Sequence, residues 1–591
     1  MRIRNRETRP ENFLGTWGIT PKLRRGKLAI ATALMVAGGL SASASATTTL
    51  YWGSSGNTNT NWDTTATDVN WSPTSGGVAS VAWTDGDAAV FGGTVTATVN
   101  GTVSADSMTL GTLTLAAGTG SATVDLGVGG LTDETSSNSS IGANIALEGS
   151  QTWTLNNKYN NLNVTGIISD GANGPAALTI DGLNSYYQNG MTLSAANTYS
   201  GGTTINAANV TISNNQALGT GVVTLGPEAG SPLQVTTLTA NTASSAITIA
   251  NNVDVNGAVA VNLGNTSSSN TFAIDGNITG GGVGSSISMA TPNQFAFGGN
   301  NSDYVGTISV NQGVTLTSLA AGDANALWTG GNKYGPINIS TGNAGTVSLG
   351  ALSGGLPVQS HDGKAYTVEV GQAGLTESYS GNIGNVSYNN LALLLVGGQE
   401  TFTGDSTYAD GTVVQGGTLL VDNTTGSGTG TGSVTVDAAG TFGGSGIITG
   451  ALTNDGTLQV GDAAGLSFHA NGGTTLGNGS KLDFTLGTSG DLLDTTALTL
   501  GTGITLDVTP GVGFGTGIYQ LIDFTGGLHN NSDNFTGWTV TGLAPGQTGI
   551  FSLTANALDL TVGNVPEPAS LAMMAVLGTG LLLTGRRRKI A

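Results

Sequence analysis

Apolar and polar residues alternate along most of this chain in runs of about four to six residues. Val434 and Val436 flank Thr435 in one run, and Leu458 and Val460 repeat the same spacing in another. A period of two indicates β-strands that bury one face. Gly, Asn and Asp separate the runs, and these residues favour turns. The pattern therefore predicts an all-β protein built from many short strands.

Two stretches repeat the same order of strand and turn residues. They read ANTYSGGTTINAANVTISNNQALGTGVVTLG (196–226) and ETFTGDSTYADGTVVQGGTLLVDNTTGSGTGTGSVTVDAAGTFGGSGIITGALTNDGTLQVG (400–461). Both resemble the autotransporter-associated β-strand repeat, best at 197–206, 217–225 and 411–461, with a degraded copy at 301–318. The resemblance implies a right-handed parallel β-helix, a solenoid in which each coil stacks its strands on the next.

Composition decides between a repetitive β-structure and disorder. The chain has 97 glycines in 591 residues and only 9% charged residues, yet 38% of its residues are hydrophobic. Disordered chains lack such an apolar fraction, so the composition favours a folded core. Glycine and asparagine suit the tight corners of a solenoid, and threonine and serine suit its outer strand positions.

Charge excludes several partners. Eight of the 16 basic residues lie in the first 27 positions and four lie in the C-terminal tail. Between Thr47 and that tail, four lysines stand against 34 acidic residues. Such a body repels phosphates, so nucleic acid is excluded as a partner, and anionic membrane surfaces suit it poorly. The chain has no cysteine, which removes disulfides, thiolate metal sites and cysteine nucleophiles.

The N-terminus, residues 1–46, is similar to a secretory signal peptide. Its basic region ends in KLRRGK, followed by the apolar LAIATALMVAGGL and the small-residue run SASASA. The order predicts export through the Sec machinery and cleavage by signal peptidase after Ala46, with Ala44 as the alternative. Twin-arginine export at Arg24–Arg25 and an uncleaved anchor are the weaker alternatives.

The C-terminus, residues 565–591, resembles a PEP-CTERM sorting signal. It joins a short proline motif, an uncharged segment at 569–585 that predicts a membrane helix, and a basic tail. The resemblance implies a Gram-negative host, recognition by exosortase, transient residence in the inner membrane and delivery to the cell surface or extracellular matrix. A plain tail anchor is the alternative. The motif residues are Val565, Pro566, Glu567 and Pro568, and the cytoplasmic tail residues are Arg586, Arg587, Arg588 and Lys589.

Three domains are expected between these signals. Residues 47–93 form a tryptophan-rich N-terminal β cap, residues 94–479 the repeat solenoid and residues 480–562 a C-terminal β cap. The tryptophans could instead form a sugar-binding face, because aromatic rings stack on carbohydrate. Asp85 and Asp87 could ligate calcium through a turn, although ordinary turn aspartates are the preferred interpretation.

The residues give no distinctive sign of catalysis. Acidic pairs such as Asp85/Asp87 and Asp491/Asp494 follow from composition, and His361, His469 and His529 lie far apart in sequence. We therefore predict no catalytic, cofactor-binding or metal-binding residues. The predicted function is that of a non-enzymatic surface or matrix protein, structural or adhesive, with exopolysaccharide as a candidate partner. The alternative is a carbohydrate-binding or polysaccharide-degrading β-helix protein.

Overall fold

The described part of the chain folds as a parallel β-solenoid of about 17 turns with almost no helix. This computed structural model describes residues 47–565 apart from 135–136, 157–160, 183–189, 227–234, 290–293, 312, 332–334, 385–386, 462–464 and 529–534. At roughly 4.8 Å per turn, the stack is about 80 Å long. The all-β parallel architecture confirms the sequence prediction, and the right-handed winding stays a prediction.

The N-terminal part joins short antiparallel strands to the first parallel rungs. Its strands are β1 (Thr49–Trp52), β2 (Asn61–Trp62), β3 (Val69–Ser72), β4 (Val81–Ala82), β5 (Asp87–Val99), β6 (Thr102–Ala117), β7 (Thr123–Asp133), β8 (Ser139–Ile141), β9 (Asn144–Leu147), β10 (Gln151–Leu155), β11 (Asn161–Val164), β12 (Ile168–Asp170), β13 (Leu178–Gly182) and β14 (Gly190–Leu193). Strand β3 pairs antiparallel with β1 and β4, whereas β5 pairs in parallel with β6.

Each coil of the middle part has two or three strands. Its strands are β15 (Thr203–Asn206), β16 (Asn209–Ile212), β17 (Val223–Gly226), β18 (Val235–Ala240), β19 (Ile247–Ile249), β20 (Val253–Val255), β21 (Ala260–Asn265), β22 (Phe272–Ile274), β23 (Ile278–Met289), β24 (Phe295–Phe297), β25 (Asp303–Ser309), β26 (Val314–Leu316), β27 (Ala326–Gly330), β28 (Ile337–Ile339), β29 (Gly345–Ser348), β30 (Ala351–Gly354) and β31 (Val358–Ser360). A single 3₁₀ turn covers Leu319–Ala321. Strands β17, β18 and β19 pair in parallel with β20, β21 and β22, so three sheets run along the stack.

The C-terminal part continues the parallel rungs and ends in antiparallel strands. Its strands are β32 (Tyr366–Val370), β33 (Thr376–Tyr379), β34 (Leu391–Leu395), β35 (Gln399–Phe402), β36 (Thr412–Val414), β37 (Gly417–Val421), β38 (Val434–Val436), β39 (Gly440–Gly444), β40 (Ile447–Ile448), β41 (Leu452–Asn454), β42 (Thr457–Val460), β43 (Ser467–Ala470), β44 (Thr474–Leu476), β45 (Lys481–Leu486), β46 (Leu492–Thr495), β47 (Leu498–Leu500), β48 (Thr505–Pro510), β49 (Gly517–Phe524), β50 (Thr539–Thr541), β51 (Gln547–Leu553) and β52 (Ala557–Asn564). Strand β48 pairs in parallel with β50, and β52 pairs antiparallel with both β49 and β51.

The core consists of apolar columns that run along the solenoid axis. The register places Trp153, Ile180, Ile205, Leu225 and Val255 on successive rungs, and all five side chains are buried. Each fully buried aliphatic side chain of this size contributes about 1.5–3 kcal/mol. Outward positions of the same strands hold Thr, Asn and Asp, which explains the alternation in the sequence.

The two repeats that the sequence shows share one buried contact. The hydroxyl of Tyr199 lies 2.6 Å from Thr203 Oγ1, and the hydroxyl of Tyr408 lies 2.6 Å from Thr412 Oγ1. The residue before each threonine is a glycine with positive φ, 99° at Gly202 and 93° in the second repeat. A β-carbon is strained in that conformation, so both repeats need glycine at this corner. The sequence similarity therefore reflects the same local structure.

We expect Tyr199→Phe and Tyr408→Phe to destabilise the protein by the same amount, about 1 kcal/mol each. Each change removes one buried hydroxyl and leaves the ring in the core. Urea unfolding of the two variants, followed by tryptophan fluorescence, measures the effect. A clear difference between the two losses would contradict the equivalence of the two repeats.

Candidate functional surface

The predicted processing signals lie almost entirely outside the described residues. This holds for Ala46, for Pro566, Glu567 and Pro568, for the segment 569–585 and for the basic tail. Val565 is the last described residue; it is half-exposed and its backbone N–H donates to Gly546 O at 2.7 Å. Within the described part of the chain, no helix is long and apolar enough to cross a membrane.

The tryptophan-rich segment forms a closed aromatic cluster. Trp62 lies 5.5 Å from Trp71, 5.2 Å from Trp83 and 5.3 Å from Phe91 between ring centroids, in edge-to-face arrangements. Trp52 packs against the same cluster, and no ring of the five is more than 9% exposed. Rings that stack on a sugar must present a face to solvent, so the alternative of a sugar-binding aromatic face is wrong. The cluster packs the N-terminal strands onto β5.

Asp85 and Asp87 accept hydrogen bonds from the backbone of neighbouring segments, and Asp85 also accepts one from Trp83 in its own turn. Asp85 Oδ1 accepts from Trp83 Nε1 at 3.2 Å and from the Ser104 backbone N–H at 2.8 Å. Asp87 Oδ1 accepts from the Thr48 N–H at 3.0 Å. Both carboxylates thus have a structural role at the end of the stack. Among the described residues, no group of three or more His, Asp or Glu side chains is arranged to hold a metal ion.

The acidic pair Asp491/Asp494 does not form a joint site. Asp491 is buried and accepts hydrogen bonds from the backbone N–H groups of Gly465 and Thr485, at 2.9 and 2.6 Å. Asp494 lies on β46, where its side chain is partly exposed and its Oδ2 lies 3.0 Å from His469 Nδ1. Because one carboxyl group is buried in a backbone pocket and the other faces outward, the pair cannot share a substrate.

The two histidines in the described part of the chain belong to different coils, His361 directly after β31 and His469 on β43. His361 is exposed, His469 pairs with Asp494, and His529 lies outside the described residues. Asp523 occupies the rung next to Asp494, so an outward row of one histidine and two carboxyl groups crosses β43, β46 and β49. His469 and Asp494 are 40% and 43% exposed. The row is thus a solvated feature of the outer surface.

A shallow acidic groove lies near the N-terminal end of the stack. Its volume is about 400 Å³, and Asp106, Asp125 and Glu148 supply its carboxyl groups. Burial, then Glu148 and Asp85, raises the pKa of Asp125. Glu148 accepts hydrogen bonds from the Ala172 N–H and from Asn173 Nδ2, at 3.1 and 2.9 Å. The groove therefore concentrates negative charge on one side of the early coils.

Two buried carboxyl groups were not predicted from the sequence. Glu400 lies on β35 and is 1% exposed; its Oε1 accepts from the Leu352 N–H at 3.1 Å. Asp323 is also fully buried, and its Oδ1 accepts from the Asn325 N–H at 2.9 Å. Burial raises the pKa of Glu400 to about 8 and that of Asp323 to about 7. Both side chains satisfy local backbone donors inside the solenoid wall.

Comparison with known proteins gives no relative from which a function could be transferred. A scan against protein-family models found no match, and no curated protein matched the chain significantly.

Proposed function

We propose that this chain is an exported, non-enzymatic repeat protein of the cell surface or extracellular matrix, with a structural or adhesive role. The observation that carries the proposal is the continuous solenoid itself. An apolar interior runs from coil to coil, and small polar side chains cover the outside. Because each coil repeats a similar pattern of strands and turns, such a stack presents a long regular surface, which suits a matrix component.

The arrangement of acidic groups supports a non-enzymatic role. Two-carboxylate hydrolysis needs an acid and a base or nucleophile about 5–10 Å apart across a substrate. The candidate pairs instead accept backbone hydrogen bonds, as Asp85, Asp87 and Asp491 do. The ion pair found among the described residues, His469 and Asp494, lies on an open outer strand face.

The proposal includes the route by which the protein reaches the surface. We take the Sec machinery, signal peptidase and exosortase as its processing partners, a Gram-negative cell as its host, and exopolysaccharide as its candidate partner outside. The residues that carry this part are those of the terminal sequences. Proline disfavours helix at its own position and at the residue before it, so the Pro-Glu-Pro sequence favours the extended conformation that the cleft of a processing enzyme would bind.

We expect replacement of Pro566, Glu567 and Pro568 by alanine to abolish delivery to the surface and to leave the full-length protein in the inner membrane. Fractionation and mass spectrometry of the C-terminal peptide measure the result. In the wild type we expect a mature N-terminus at Thr47 and no peptide that extends to Ala591. As a control, alanine replacement of the surface residues Thr179 and Thr204 should leave delivery unchanged. Recovery of the intact C-terminus from surface material would refute the proposed sorting.

A second candidate function is carbohydrate binding. It is favoured by an uncharged surface of Asn, Ser and Thr side chains on β11, β14, β16, β18 and β21. Cleavage of polysaccharide is separable from binding, because only cleavage produces new reducing ends. The wild-type protein is expected to release none from a polysaccharide panel.

A further inference from the structure

Five successive rungs of one sheet form an uncharged surface on this acidic protein. The rungs are residues 161–165 (β11), 190–194 (β14), 209–213 (β16), 237–241 (β18) and 262–266 (β21). The first, third and fifth positions of each rung alternate with buried core residues, as Leu162 and Val164 are in the first rung. Thirteen of these fifteen positions hold Asn, Ser or Thr, and the other two hold Gly190 and Gly264. We call this surface the neutral face.

The register turns these residues into regular columns. Thr192, Thr211 and Thr239 lie on consecutive rungs at the same position. Neighbouring strands are about 4.8 Å apart, so the hydroxyl groups repeat at that spacing along the axis. The neutral face thus offers hydrogen-bonding groups in two dimensions, over about 20 Å along the axis and about 15 Å across it.

Hydrogen bonds between rungs orient several of these side chains. Asn161 Nδ2 donates to Thr192 Oγ1 at 2.9 Å. At the far edge of the face, Asn241 Nδ2 donates to Ser213 Oγ at 3.4 Å, and Thr266 Oγ1 donates to Asn241 Oδ1 at 3.2 Å. Side chains held in this way lose less conformational freedom when a ligand binds.

Acidic residues are segregated to other surfaces. On the neighbouring sheet, Thr179, Thr204 and Thr224 lie at the same position on consecutive rungs. The next rung has Asp254 at this position, and Asp303 occupies it two rungs further on. The acidic groove lies near the N-terminal end of the stack. None of the 34 acidic residues that follow residue 46 occupies an outward position of the neutral face.

A cleft deepens one end of the neutral face. It has a volume of about 390 Å³ and is open to solvent. The cleft extends the neutral face to β8, the rung before β11, and its lining side chains carry hydroxyl or amide groups and no charge. They are Asn138, Ser139, Ser140, Asn161, Asn163 and Thr192.

We propose that the neutral face binds an uncharged polysaccharide, an inference that rests on the proposed surface function and gives the adhesive role a location. A charged partner would gain nothing from this face, and an anionic one would be repelled by the surrounding acids. An apolar partner would leave the amide and hydroxyl groups without hydrogen bonds, which is unfavourable. A chain of neutral sugars carries no charge and can form hydrogen bonds with the amide and hydroxyl groups. Its hydroxyl groups repeat along the chain, as the donors and acceptors repeat along the neutral face.

The test compares two variants of the full chain that differ only in which sheet is changed. In T192V/T211V/T239V, three hydroxyl groups leave the neutral face. In T179V/T204V/T224V, three hydroxyl groups leave consecutive rungs of the neighbouring acidic sheet. Valine keeps the shape and strand preference of threonine, so both variants should fold. Affinity electrophoresis and pull-down with neutral glucans, mannans and galactans, and with an anionic uronic acid polymer, measure binding.

We expect the wild type to bind at least one neutral polysaccharide, the neutral-face variant to bind it about tenfold more weakly, and the acidic-sheet variant to bind it like the wild type. Equal losses in both variants, absence of neutral binding or preference for the anionic polymer would overturn the proposal. Loss of self-association in the neutral-face variant alone, without polysaccharide binding, would replace the polysaccharide with a second copy of the chain. Surface delivery of the variants is scored separately, so failure of this inference is distinguishable from failure of the proposed function.

Discussion

Trp62→Ala is expected to destabilise the protein by about 3–5 kcal/mol, the largest effect of any single change considered for this chain. Trp62 is fully buried, and its ring contacts Trp71, Trp83 and Phe91 edge to face. Removal of the indole leaves a large cavity that the surrounding rigid rings cannot close. The strands that pack onto β5 through this cluster should then open. Urea unfolding and limited proteolysis in the tryptophan-rich segment measure the loss.

Two further variants test whether the loss of stability comes from removal of the buried indole ring. Trp62 Nε1 is buried and has no hydrogen-bond partner in the part of the chain that the structure describes. Trp62→Phe removes this unsatisfied N–H and retains an aromatic ring, so its cost should stay within about 1.5 kcal/mol. Ile550→Ala, at a side chain that is 66% exposed, should change stability by less than about 0.5 kcal/mol. Equal effects of the alanine and phenylalanine variants would argue against a packing role for the indole.

Glu400→Gln is expected to remove the larger part of a decline in stability between pH 5 and pH 8, to which the buried Asp323 also contributes. Burial raises the pKa of Glu400 from 4.5 to about 8 in the folded protein. Between these values the folded state keeps a proton that the unfolded chain has released, so stability falls as pH rises. The contribution is fully present below pH 4.5 and lost as the pH passes 8. The loss amounts to as much as about 4 kcal/mol at the upper end.

Glu377 provides a matched control for this prediction. It occupies the preceding rung, directly opposite Glu400 in the parallel register, but its side chain is partly exposed. The negative charge of Glu377 is the smallest of the causes that act on the pKa of Glu400, so Glu377→Gln should reduce the pH dependence only slightly. Glutamine at 400 still offers an oxygen to the Leu352 N–H, so Glu400→Gln should match the wild type at pH 5 and exceed it at pH 8. Parallel pH profiles for the wild type and Glu400→Gln would disprove the role of Glu400. Thermal unfolding midpoints at several pH values provide the measurement.

The sequence predicted the fold because the alternation of apolar and polar residues depends only on near neighbours. Val434 and Val436 are buried and Thr435 is not, as the period of two requires. The number of strands in a coil could not be predicted in this way, because it depends on pairing between residues about 20–30 positions apart. The pairing of Thr203 with Val223, and of Val223 with Val253, shows that this distance also varies from coil to coil.

Individual sites were harder to predict for two different reasons. The tryptophan segment allowed both a cap and a sugar-binding face, because composition does not fix whether a ring points inward. Glu400 left a usable signal: it lies two residues before Phe402, which is buried, and the alternation therefore places the glutamate inside. The neutral face leaves a signal only when the register is known, because its columns join residues from separate turns.

Each coil pairs only with the coils next to it, and this affects how such a protein can change during evolution. Tyr199 and Tyr408 make the same contact in coils about 200 residues apart, so a coil is a unit that works wherever it stands. Insertion or loss of a whole coil creates one new junction and leaves every other contact intact. The length of the solenoid can therefore be increased or decreased by gene duplication and deletion, without redesign of its interior.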